Sequence, residues 1–116
     1  MNNKVNQGML NRKLSIDFEL YTDNDAEFKS ELIDHIIDNL HELLQSYRLS
    51  VDQKDSGSFH KACHKVKTTL VMLEDDELNA LVEDLKKFPP AIERTFSLDN
   101  IGAAIIDSLM FEKNKS

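Results

Sequence analysis

Glycine occurs three times, proline twice, cysteine once and tryptophan not at all in the 116 residues of this chain. So little turn chemistry argues against a many-stranded β fold and favours a few long helices. The single cysteine, Cys63, excludes an internal disulfide and points to a reducing compartment. No apolar run approaches the roughly 20 residues that span a bilayer. Residues 1–7 are polar and Asn-rich, without the apolar centre of a secretory signal. The expected location is therefore cytoplasmic. Cations are also scarce: 14 Lys and Arg stand against 21 Asp and Glu, a formal net charge of −7. That balance argues against nucleic acid and against an anionic membrane as partners.

What the chain does have is apolar residues at helical spacing. Residues 1–13 read as a flexible end. Leu14, Ile16, Phe18 and Leu20 alternate with polar residues, a pattern that without a partner strand suggests an extended arm or short helix laid on the core. Asn24 with Glu27 three residues later predicts a capping box. The helix it opens is expected over about residues 25–49, with Phe28, Leu32, Ile36, Leu40, Leu43, Leu44 and Tyr47 on one face. The polar stretch 52–58 reads as a loop.

A second helix is expected over about 58–73, burying Phe59, Ala62, Cys63, Val66, Leu70 and Leu73. The acids of 74–77 suit the first turn of a third helix, where the dipole favours carboxylates. Its inner stripe reads Leu78, Leu81, Val82, Leu85 and Phe88, and Pro89 and Pro90 stop it. Ser97 is the expected cap of a fourth helix facing inward through Leu98, Ile101, Ile105, Ile106 and Leu109. The fold class predicted is all-α, an antiparallel up-down-up-down four-helix bundle with an amino-terminal arm. One domain spans residues 14–112, followed by a polar tail at 113–116.

On a helical wheel His64 lies about 150° from the centre of the second helix's apolar cluster. Thr68 and Val71 continue that outward stripe, His60 lies on its near side, and Lys67 at i+3 reaches the same patch. From Ser56 to Leu73 there is no Asp or Glu, while Lys61, Lys65 and Lys67 fall inside the stretch. An acidic chain thus keeps one helix free of acids, and that helix presents an exposed histidine. Nearby ammonium groups stabilise a phosphoryl group on an imidazole and attract an acidic partner pocket.

A solvated surface histidine is the plain alternative for His64. His60 and His64 also form an H-x-x-x-H pair, but Cys63 points to the core and no acid completes a metal site, so none is expected. His35, near the edge of the first helix's apolar face, is expected to be structural and His41 solvated. Val71 is either ordinary exposed surface or a partner contact.

The sequence His64-Lys65-Val66-Lys67 resembles the H-x-x-K motif of histidine-containing phosphotransfer (HPt) domains. Residues 23–28 look like that family's entry into its first long helix, 58–64 its approach to the histidine, and 73–85 its next turn and helix. The resemblance covers roughly residues 14–88 of the chain. It departs from the pattern at Thr68, where the family has a glycine that gives a partner room to approach. It implies a phosphocarrier in a two-component phosphorelay, with His64 as phosphoacceptor and Lys67 stabilising the phosphoryl group. His60, Lys61, Lys65, Thr68 and Val71 would then meet the partner. The partners implied are receiver domains of response regulators or hybrid histidine kinases. The chain would act as a monomer with no bound cofactor and no autokinase activity, and Mg²⁺ would sit in the receiver. The alternative is an HPt-like bundle that binds a receiver or kinase domain without transferring phosphate. A helical adaptor unrelated to phosphorelay is a third reading.

Overall fold

A computed structural model describes residues 12–115. Most of those residues are helical, with no strand among them. The helices are α1 (Phe18–Thr22), α2 (Ala26–Gln53), α3 (Gly57–Lys65), α4 (Lys67–Leu73), α5 (Asp76–Lys87) and α6 (Ile92–Asn114). No helix among the described residues is long and apolar enough to cross a membrane.

The expected flexible end, residues 1–13, lies outside the described residues except for Arg12 and Lys13. Arg12 grips Asp75 through Nε and Nη2, both at 2.7 Å, and reaches Glu77 at 2.8 Å. Asp75 also caps α5 by accepting from the Leu78 amide. Burial pushes the Asp75 carboxyl up, but the Arg12 and Leu78 hydrogen bonds outweigh it and leave the group below the ordinary aspartate range. Beyond Arg12 the chain runs without helix to Asp17, whose backbone is extended, and the short helix α1 follows. Ile16 and Phe18 are buried and Leu14 packs beside them, so the arm lies on the core. Leu20 breaks the alternation and is exposed, because α1 has already begun.

Helix α2 is the spine. Ile33, Ile36, Leu40, Leu43 and Tyr47 are buried along one face, and Ser50 extends that face by a turn. The helix therefore runs to Gln53 and not to residue 49, and the loop shrinks to 54–56. Its cap is Asp25, which accepts from the Phe28 amide at 3.0 Å, in place of the expected Asn24. Asn24 and Asp23 instead adopt left-handed backbone, at φ 62° and 52°. Phe28, on the first turn, stays half-exposed.

Two antiparallel seams run along α2. On one side Asn39 meets Thr69, Glu42 meets Lys65 and Ser50 meets Phe59, so α3 and α4 descend as α2 rises. On the other, Lys29 pairs with Glu112, Asp34 with Lys113 and Arg48 with Asp99. Gly102 lets α6 come close to α2: a Cβ there would stand 3.0 Å from both Leu44 methyl carbons. Helix α5 packs against α3 and α6.

The start of α6 is a correction. It begins at Ile92, five residues before the expected Ser97 cap. The Tyr47 hydroxyl accepts from the Ala91 amide at 3.1 Å, and this contact from α2 holds the turn after Pro89 and Pro90. The end of α6 is another: the expected tail is helical through Asn114, held by the Glu112 and Lys113 pairs. Phe88 does not join the inner stripe. It adopts extended backbone ahead of Pro89, as a residue before proline does, and the Arg94 guanidinium covers its ring at 5.0 Å.

Scarcity of glycine has a visible consequence. The helices α1, α2 and α4 end on Asp23, Lys54 and Glu74, each in left-handed backbone where glycine is the unstrained residue. Glu74 thus closes α4, and the first turn of α5 begins one residue after Asp75. Two substitutions flanking the α2–α3 turn are expected to act with opposite sign in chemical denaturation. Lys54→Gly removes left-handed strain and raises stability by about 0.5 kcal/mol. Ser50→Ala strands the buried Phe59 amide and lowers stability by about 1–3 kcal/mol.

Candidate functional site

The second amphipathic stretch bends at its middle. Val66 leaves helical geometry, at φ −98° and ψ 14°, and separates α3 from α4. The β-branched residues Val66, Thr68 and Thr69 weaken helix propensity at this point. Backbone bonding nevertheless carries across the bend: the Val66 amide donates to Ala62 O at 2.9 Å and Leu70 to Val66 O at 3.1 Å. The stretch continues in one direction along α2, with His64 in the last turn of α3 and Lys67 opening α4.

Burial fixes which way the stretch faces. Phe59, Ala62, Cys63, Val66, Leu70 and Leu73 are all buried, as their spacing predicts. Phe59 meets Tyr47 of α2 edge to face, with centroids 5.0 Å apart. The opposite side carries His60, Lys61, His64, Lys65, Lys67, Thr68 and Val71, all of them exposed. Val71 has 65% of its surface in solvent, which marks it as surface and not core.

The lysines on this side differ in freedom. Lys65 bends toward α2 and pairs with Glu42 at 3.0 Å, so its charge is partly neutralised. Lys61 and Lys67 make no ion pair among the described residues. Lys61 and Lys67, each three residues from His64, are therefore the exposed cations beside it with uncommitted ammonium groups, and Lys67 lies on the side toward Thr68.

Two supporting residues escaped the local sequence pattern. Asn39 donates to the Thr69 hydroxyl at 2.6 Å and lies 3.4 Å from His35 Nε2. This polar link ties α4 to α2 directly after Thr68, and it gives His35 a neighbour although the ring is exposed. Glu42 is the second. Neither residue is marked by spacing within its own helix; only the antiparallel register, which sets 39 opposite 69 and 42 opposite 65, brings them to the site.

Cys63 faces the core beside the exposed histidine. Burial pushes its thiol up to about 11, against a smaller opposing effect of Lys86 on α5. It is a packing residue and not a nucleophile at neutral pH. Among the described residues no group of three or more His, Cys, Asp or Glu side chains is placed to hold a metal ion. A cavity of about 560 Å³ is lined by Arg12, Ile16, Phe18 and Phe111 among others and does not include His64.

No protein-family model matches the chain, and neither a curated protein nor a solved structure matches it.

The burial of Cys63 makes its own prediction. At pH 8 a disulfide reagent such as 5,5′-dithiobis(2-nitrobenzoate) should label the native protein at least about a hundredfold more slowly than the protein in denaturant. Equal rates would place the thiol, and with it the orientation of α3, the wrong way round.

Proposed function

We propose that this chain is a histidine phosphotransfer protein of a two-component phosphorelay, carrying a phosphoryl group on His64 between receiver-domain aspartates. The observation that carries the reading is an exposed imidazole one turn from the uncommitted Lys67, on a stretch without acids in an otherwise acidic chain. The H-x-x-K resemblance supports it.

The reading takes α2, α3 with α4, α5 and α6 as the four members of an antiparallel up-down-up-down bundle of the HPt kind. The two seams along α2 and the packing of α5 on α3 and α6 are consistent with that arrangement.

Imidazole suits the task because a neutral ring nitrogen is nucleophilic near pH 7, whereas a lysine amine is protonated. The ring nitrogen attacks the phosphorus of an aspartyl phosphate. The P–N bond forms, the P–O bond to the aspartyl carboxylate breaks, and the carboxylate leaves with the electron pair. Transfer to the next receiver runs the same step in reverse. Charge neutralisation and alignment dominate phosphoryl transfer. In this reading Lys67 supplies local positive charge from the carrier, and Mg²⁺ with its acidic pocket belongs to the receiver. His60, Lys61 and Lys65 border the docking patch, and Val71 offers it an apolar contact.

Thr68 favours a second reading. It is exposed and β-branched one turn after His64, where an approaching receiver needs room. A chain that docks a receiver or kinase domain without accepting phosphate would tolerate it.

Labelled phosphoryl transfer from a panel of phosphorylated receiver domains, with Mg²⁺ present, separates the two. Transfer is expected to vanish in His64→Gln, to slow about tenfold in Lys67→Ala, and to speed up in Thr68→Gly. Equal labelling of wild type and His64→Gln would refute the phosphocarrier reading. Receiver binding without any transfer would establish the second.

A further inference from the structure

Helix α6 has two apolar faces. Leu98, Gly102, Ile105 and Leu109 are buried against the rest of the chain. A separate line runs through Ile92, Phe96, Asp99, Ala103, Ile106 and Met110, spaced alternately by four and three residues. On a wheel these six fall within about 40° of one direction, and that direction is about 110° from the buried line. Ile92 and Phe96 have 66% and 65% of their surface in solvent, and Met110 has 41%. Core packing accounts for Ile106, which lies against the buried cluster, but not for Ile92, Phe96 and Met110.

This line forms one wall of a groove whose other wall is α2. Two cavities, of about 360 and 320 Å³, lie end to end along it and share Arg48 and Asp99. Leu44 and Ile106 are apolar lining of the first, and Val51, Ile92 and Phe96 of the second. From Ile92 to Asp107 the groove is about 22 Å long, four turns of helix.

The unpaired charge at its edge is negative. Arg48 is committed to Asp99, whose second oxygen, Oδ1, is buried without a hydrogen-bond partner among the described residues. Asp52 and Asp107 line the two cavities, one at each, and make no ion pair among the described residues. His41 and Gln45 complete the lining near Asp107. An apolar trough of helical length with unpaired carboxylates along it suits an amphipathic helix whose flanks carry Lys or Arg. A second copy of this chain fits less well, since it would bring the unpaired Asp52 and Asp107 rims of two acidic surfaces together.

We propose that the α2–α6 groove docks a cationic amphipathic helix of about four turns from a partner protein. The site does not involve His64 and stands apart from the phosphotransfer reading.

Two synthetic peptides of about 16 residues test this, one of leucine and lysine and one of leucine and glutamate, each with leucine at alternating three- and four-residue spacing. The Leu/Lys peptide is titrated into the ¹⁵N-labelled full chain while amide shifts and affinity are followed. It should shift amides of Ile92, Phe96, Ala103 and Leu44 and bind at least about tenfold more tightly than the Leu/Glu peptide. Ile92→Ser with Phe96→Ser should weaken it about tenfold, and so should Asp52→Lys with Asp107→Lys. Both pairs are surface positions, and circular dichroism checks that the variants stay folded. Absence of binding, equal affinity for both peptides, or shifts centred on α3 and α4 would overturn the proposal. So would a wild-type dimer in sedimentation that Phe96→Ser dissociates, because the occupant would then be a second copy.

Discussion

The hydrogen bond from the buried Phe59 amide to the Ser50 hydroxyl anchors the register on which the exposed face depends. It stands in for the side-chain cap that α3 lacks, since Ser56 makes no such bond. From there Glu42–Lys65 and Asn39–Thr69 repeat the register up the seam. The buried faces of the two helices oppose one another, and everything else on α3 and α4 follows. A shift of one residue would turn the stretch by about 100°, moving His64 toward the core and polar Lys67 with it. Burial of Phe59, Val66 and Leu73 opposes that shift, at roughly 1.5–3 kcal/mol for each large side chain.

The same economy shapes the rest of the chain. With few glycines, the turns use strained left-handed Asp, Asn, Lys and Glu. With few capping residues before α6, the Tyr47 hydroxyl takes the Ala91 amide from across the core. Arg12 secures the arm by gripping the very carboxylate that caps α5. Helix α2 supplies the Tyr47 hydroxyl and carries the Lys54 turn at its end.

Much of this was legible from spacing. The six buried apolar residues of 59–73 and the outward place of His64, Lys67, Thr68 and Val71 follow from a 3.6-residue period, and burial matches them. The termini were harder. Asn24 and Asp25 are both competent caps, and the choice between them depends on the left-handed turn at Asp23 and Asn24. The early start of α6 depends on Tyr47, and the late end of α2 on Ser50, each a partner distant in sequence. Phe28 and Phe88 fit an apolar stripe by spacing but sit at helix ends, beyond the reach of the core. At the site, Lys65 reads as one more free cation until the α2 register brings Glu42 to it. The bend at Val66 is a backbone event, hinted at only by β-branching.

We propose that His64, alone among the four histidines, accepts phosphate. The most direct measurement is fragment mass spectrometry, kept at neutral or basic pH, after exposure of the protein to a phosphorylated receiver domain with Mg²⁺. The account predicts a single phosphoryl group confined to His64. A phosphoryl group on His35, His41 or His60 instead, or none on any histidine with every receiver tried, would contradict it.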